Sequence, residues 1–131
     1  MREIIKSFIY KYPEMNELGY TVKQVDFEQI DSRINSIIPD WYKEIIEEYP
    51  IIGLEIGIPY DFGQEELKGL PFKELPLLSI SFNDLETIQD ETLECFPGSE
   101  LISEGYLCIA KDEYSTGEGI YININEEDPK V

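Results

Sequence analysis

The stretch Pro39-Asp-Trp-Tyr-Lys-Glu-Ile-Ile-Glu-Glu-Tyr-Pro50-Ile-Ile-Gly-Leu-Glu-Ile-Gly-Ile58 changes its hydrophobic period once, and that change decides the fold. In its first half Trp41, Tyr42, Ile45, Ile46 and Tyr49 recur at helical spacing, so one stripe of the helix is apolar. Pro39 suits the start of that helix, where a missing N–H costs nothing, and Asp40 favours its positive end. Pro50 ends it. In the second half Leu54, Ile56 and Ile58 alternate with Glu55 and Gly57, the period of a half-buried strand.

Upstream the pattern stays helical. Ile4, Ile5, Phe8, Ile9 and Tyr12 form one stripe over residues 2–12, closed by Pro13. Residues 20–25 read as a short strand or an extended linker. A second helix is expected to start at Asp26, with Gln29 at the reciprocal capping position and Phe27, Ile30, Ile34 and Ile37 on its buried face. Trp41 is expected in the core. Downstream, residues 60–76 are rich in Gly and Pro and read as a long loop, with one helical turn at 64–68. Strands are expected at Leu77–Phe82, Gly105–Lys111 and Gly119–Asn125, and a helix over Asn83–Leu93 capped by Asn83 or Asp84. In the last strand Ile120, Ile122 and Ile124 share one face. Helices first and strands later predict an α+β fold, with N-terminal helices on a mainly antiparallel sheet. The 131 residues fit one domain, 1–131.

Charge and composition exclude several functions. Asp and Glu number 28 against 10 Lys and Arg, a net charge of −18. Such a field repels nucleic-acid phosphates and anionic membranes and speeds encounter with a basic partner. The chain has no histidine, which removes the commonest general base, the commonest zinc ligand and every Ser-His or Cys-His pair. Cys95 and Cys108 have neither redox nor zinc spacing, and Cys108 lies in an apolar strand pattern that suits a buried thiol. The N-terminal residues show no apolar run of signal or membrane length, so the expected compartment is the cytoplasm.

Site motifs are weak. The segment Asp112–Gly119 carries three carboxylates, yet a calcium-loop count from Asp112 puts Tyr114 third and Asn123 twelfth, and no helices flank it. Its glycines suit a hairpin. Ser99 and Ser115 do not fit a nucleophile elbow, and no phosphate-binding glycine loop is present. With so many acids, a catalytic carboxylate pair cannot be singled out. No catalytic residue, metal or cofactor is expected.

Two segments carry a family likeness. Ile38-Pro-Asp-Trp-Tyr-Lys-Glu-Ile-Ile-Glu-Glu-Tyr49, after a helix starting near Asp26, resembles the opening of the SUKH superfamily, which includes yeast cell-wall assembly regulators and bacterial immunity proteins. Gly105-Tyr-Leu-Cys-Ile-Ala-Lys-Asp112 and Gly117-Glu-Gly-Ile-Tyr-Ile-Asn123 are similar to its second signature, two strands joined by an acidic glycine turn. The likeness spans about residues 26–131 as a pattern, with 50–104 matching poorly. Where the family has an Asn-Gly turn after the third helix, this chain has Tyr49-Pro-Ile-Ile-Gly53. Asp128-Pro-Lys-Val131 looks like the start of the family's next strand, which the family continues with another strand and a C-terminal helix, so the resemblance implies either a domain truncated at that end or a sheet completed in another way.

The resemblance implies an immunity protein that binds and neutralises a cognate toxin, often a nuclease, without being an enzyme. The alternatives are a regulatory or scaffolding module close to the cell-wall regulators, and a small carbohydrate-active enzyme. A basic toxin cleft would be met by acidic residues of two loops, with Asp61, Glu65, Glu66, Asp112, Glu113 and Glu118 steering and Tyr60 and Tyr114 anchoring. Neither nucleic acid nor membrane is expected as a partner.

Overall fold

The computed structural model describes residues 1–59, 77–112 and 117–128. Five helices come first: α1 (Arg2–Lys11), α2 (Met15–Leu18), α3 (Gln24–Phe27), α4 (Ser32–Ile37) and α5 (Asp40–Glu48). Then follow β1 (Glu55–Pro59), β2 (Leu77–Phe82), α6 (Leu85–Leu93), α7 (Gly98–Leu101), a 3₁₀ turn (Ile102–Glu104), β3 (Tyr106–Asp112) and β4 (Gly119–Asn123). The strands form one antiparallel sheet in the order β1-β2-β3-β4. The architecture is therefore α+β with N-terminal helices.

The change of period at Pro50 falls where expected, between α5 and β1. Tyr42, Ile45 and Ile46 of α5 are fully buried. They meet Ile5 of α1, Phe27 of α3, Ile34 of α4 and the sheet residues Leu107, Ile109 and Ile122 in one core. Ile120 and Ile124 pack on it from the same side as Ile122, as the alternation requires. Burial of such side chains contributes roughly 1.5–3 kcal/mol each against conformational entropy. Trp41 is only partly buried; it packs on the core and donates its indole N–H to the Glu126 carbonyl at 3.0 Å.

Three expectations are corrected. The helix foreseen from Asp26 is two short ones, α3 and α4. Asp26 stands inside α3 and accepts the Lys23 N–H at 2.8 Å, while Asp31 begins α4 by accepting the Arg33 N–H at 2.9 Å. Each carboxylate stabilises its own first turn, so the apolar run Phe27–Ile37 is broken between them. Ile4 is half exposed, because α1 turns only Ile5 fully inward. The short α2 and α7 were not foreseen; neither has enough length for a periodic signal.

Residues 20–22 run extended. Tyr20 and Ile52 exchange backbone hydrogen bonds at 3.0 and 3.2 Å, and the Val22 N–H donates to the Ile46 carbonyl at 2.8 Å. Gly19 lets this segment approach, since a Cβ there would collide with the Pro50 carbonyl. Asp84, not Asn83, caps α6, accepting the Thr87 N–H at 2.7 Å. The turn expected at 64–68 lies outside the described residues.

Candidate functional site

The packing of Tyr20–Val22 against the α5–β1 connection leaves an open groove of about 420 Å³ beside the start of α6. Its floor is apolar. Val22, Ile52 and Leu85 line it and are themselves buried, and the partly buried Ile30 lines it as well. The Tyr20 ring is a half-exposed wall and lies over Gly53, where a Cβ would stand 3.2 Å from it. Asp26 forms part of the rim from α3, and Asp84, the cap of α6, and Glu86 in its first turn complete it. Gln29 and Gln89 supply neutral amides. The Gln89 side-chain amide oxygen accepts the Asp31 N–H at 2.8 Å, which ties the α3–α4 link to α6.

Three carboxylates thus face one groove, and among the described residues no lysine or arginine lines it. Each aspartate is held by a backbone N–H in its own helical turn, so its rotamer is set before anything binds. The Tyr20 phenol registers this environment. Its pKa is raised, first by burial and then by the negative charges of Asp84 and Asp26. The groove disfavours anions and can accept a positively charged group whose stem is apolar.

A second polar cluster lies on the other face of β3. Cys108 is fully buried and pairs across the ladder with Tyr121. Lys111 is ion-paired with Glu91. Burial, above all, pushes the Cys108 thiol up, away from the thiolate that nucleophilic chemistry needs. Burial and the neighbouring Cys108 push the Tyr121 phenol up to about 12. This cluster is built as structure, with each polar group answered by a neighbour. Among the described residues no group of three or more Cys, Asp or Glu is arranged to hold a metal ion, and no helix is long and apolar enough to cross a membrane.

Of the eight residues expected to meet a partner, Tyr60, Asp61, Glu65, Glu66, Glu113 and Tyr114 lie outside the described residues. Asp112 ends β3 and is buried, its N–H donating to the Glu118 carbonyl at 3.0 Å. Glu118 is exposed beside Gly117, whose φ of 66° turns the chain. These two are brought together, and only Glu118 presents its side chain to solvent. The groove residues were legible singly, Asp26 and Asp84 as helix-starting acids. Their meeting was not, since nothing local links residue 26 to residue 84.

Comparison with family models, with curated proteins and with solved structures returns no match to this chain.

Proposed function

We propose that this chain is a SUKH-type protein-binding domain that works in the cytoplasm as an immunity protein, neutralising a basic toxin by covering its active cleft. One observation carries the reading: a groove with an apolar floor and three rim carboxylates, Asp26, Asp84 and Glu86, with no cation among its described lining residues. A net charge of −18 extends the same sign over the whole molecule. Long-range attraction of this kind speeds encounter, and the local groove supplies orientation. A toxin that cleaves nucleic acid needs a basic cleft to hold phosphates, so the two surfaces complement each other.

The test is suppression of toxicity. A basic nuclease toxin domain, sought in the reading frame adjacent to this chain's, is expressed alone and arrests growth; co-expression of the chain is expected to restore growth. Charge reversal at Asp26 and Glu86 weakens the rescue, and the association rate of the purified pair falls steeply with salt. Failure to restore growth, with recovery instead of several unrelated harmless proteins, favours a regulatory scaffold and removes the immunity reading.

A further inference from the structure

We infer that the groove between Tyr20 and the first turn of α6 is the receptacle for a single arginine side chain of the partner. The inference rests on the protein-binding reading above and deepens it. Three features of the groove select the occupant.

The first is the order of its chemistry. Apolar side chains (Val22, Ile52, Leu85) make the floor and carboxylates make the rim. A long basic side chain matches that order, laying its methylenes on apolar surface while its head stays polar. A bare metal ion does not: no set of three or more ligands among the described residues is gathered to hold one. The second feature is unused acceptor capacity. Asp26 spends Oδ2 on the Lys23 N–H and Asp84 spends Oδ1 on the Thr87 N–H. The other oxygen of each takes no hydrogen bond from the described residues, and a carboxylate has about four acceptor positions. The third is the Tyr20 ring, 52% exposed and backed by Gly53, a flat face beside both aspartates. A guanidinium is planar, stacks on aromatic faces and offers five donors in a fork; an ammonium does neither as well.

The experiment titrates the isotope-labelled chain with a blocked Gly-Arg-Gly peptide and follows amide and side-chain shifts by NMR. The matching citrulline peptide, neutral and of the same shape, is the control, and a lysine peptide the competitor. Shift changes confined to Tyr20, Val22, Gln29, Leu85 and Gln89 are expected with arginine, weaker ones with lysine and none with citrulline. Glu86→Gln weakens arginine binding by about twofold to fivefold, the range of one exposed ion pair. Tyr20→Leu removes the preference for arginine over lysine. Equal shifts with citrulline, or arginine shifts scattered over all acidic surfaces, overturn the inference. The two proposals fail separately. If the toxin is neutralised and Tyr20→Leu with Glu86→Lys leaves that intact, the groove is not the site and the immunity reading stands. If the peptide fills the groove and no toxin is neutralised, the receptacle stands and the immunity reading falls.

Discussion

The backbone N–H of Cys108 donates to the Thr92 hydroxyl oxygen at 3.3 Å, and both residues are fully buried. The contact marks where the sheet changes partner. β2 pairs with β3 only from Ile80–Asp112 to Phe82–Ala110, and the Asn83 N–H adds one more bond to the Ile109 carbonyl at 2.9 Å. Beyond that point α6 lies beside the first half of β3, and a side chain replaces the missing strand. Thr92→Val keeps the shape and removes the acceptor, leaving a buried N–H unpaired. We expect it to cost about 1–3 kcal/mol in urea unfolding, with Thr92→Ser costing less. Faster amide exchange at Cys108 in the valine variant separates this cause from a general loosening.

The Tyr42 hydroxyl makes the opposite case. The side chain is fully buried in the core, and its oxygen has no hydrogen-bond partner among the described residues. Burial, with the nearby Cys108 charge second, raises its pKa, so the phenol stays neutral. An unanswered buried hydroxyl is a cost, whereas the ring supplies packing. Tyr42→Phe is therefore expected to leave stability unchanged or raise it by about 1 kcal/mol. Tyr42→Ala opens a cavity and costs about 3–5 kcal/mol. A thermal melt of the two variants decides the matter: a phenylalanine variant melting well below the parent would mean that the hydroxyl has a stabilising partner.

What the sequence made legible follows the range of the physical signal. Ile45, Ile46, Ile120 and Ile122 announced their faces because periodicity is local, and each element has enough residues to show it. Strand β2 was placed at its observed limits, bounded by Pro76 and Asn83. The break between α3 and α4 was hidden because Phe27, Ile30, Ile34 and Ile37 keep helical spacing across it; the carboxylate of Asp31, which competes for its own turn, decided against one helix. The groove was least legible. Asp26 and Asp84 look like ordinary cap residues, and contacts between distant segments, the Tyr20–Ile52 pairing and the Asp31–Gln89 hydrogen bond, set them around one space.

Tyr121 gives an alkaline prediction. Burial first, then the negative charge of Cys108 and its hydrogen bond with that thiol, push the phenol from 10.0 up to about 12. The folded state then holds this proton more tightly than the unfolded chain. The corresponding stability is complete below pH 10 and drains away as the pH climbs towards 12. Tyr121→Phe removes one proton from that dependence, so the slope of unfolding free energy against pH between 10 and 12 becomes shallower. Urea titrations at a series of alkaline pH values measure the slope directly. An unchanged slope would mean that Tyr121 titrates normally in the folded protein.

The last prediction concerns salt, and it has two parts of opposite sign. With 28 acids and 10 bases, most carboxylates have no cation to answer them. The described ion pairs are few: Arg2 serves both Glu44 and Glu48, Arg33 serves Asp31, Lys111 serves Glu91 and the N-terminal amine serves Asp128. Self-repulsion over such a surface opposes compactness. Raising the salt from about 0.01 to about 0.1 M shortens the screening length from about 30 to about 10 Å, so repulsion between separated carboxylates fades while these close pairs lose little. The melting temperature of the chain alone is expected to rise with sodium chloride. Over the same interval the association rate with a basic partner is expected to fall, because the steering field is the same field. Calorimetry and stopped-flow mixing in matched buffers compare the two. A melting temperature that falls with salt would show that short ion pairs outweigh the excess charge in holding the fold. A salt-independent association rate would show that the excess charge has no part in finding the partner.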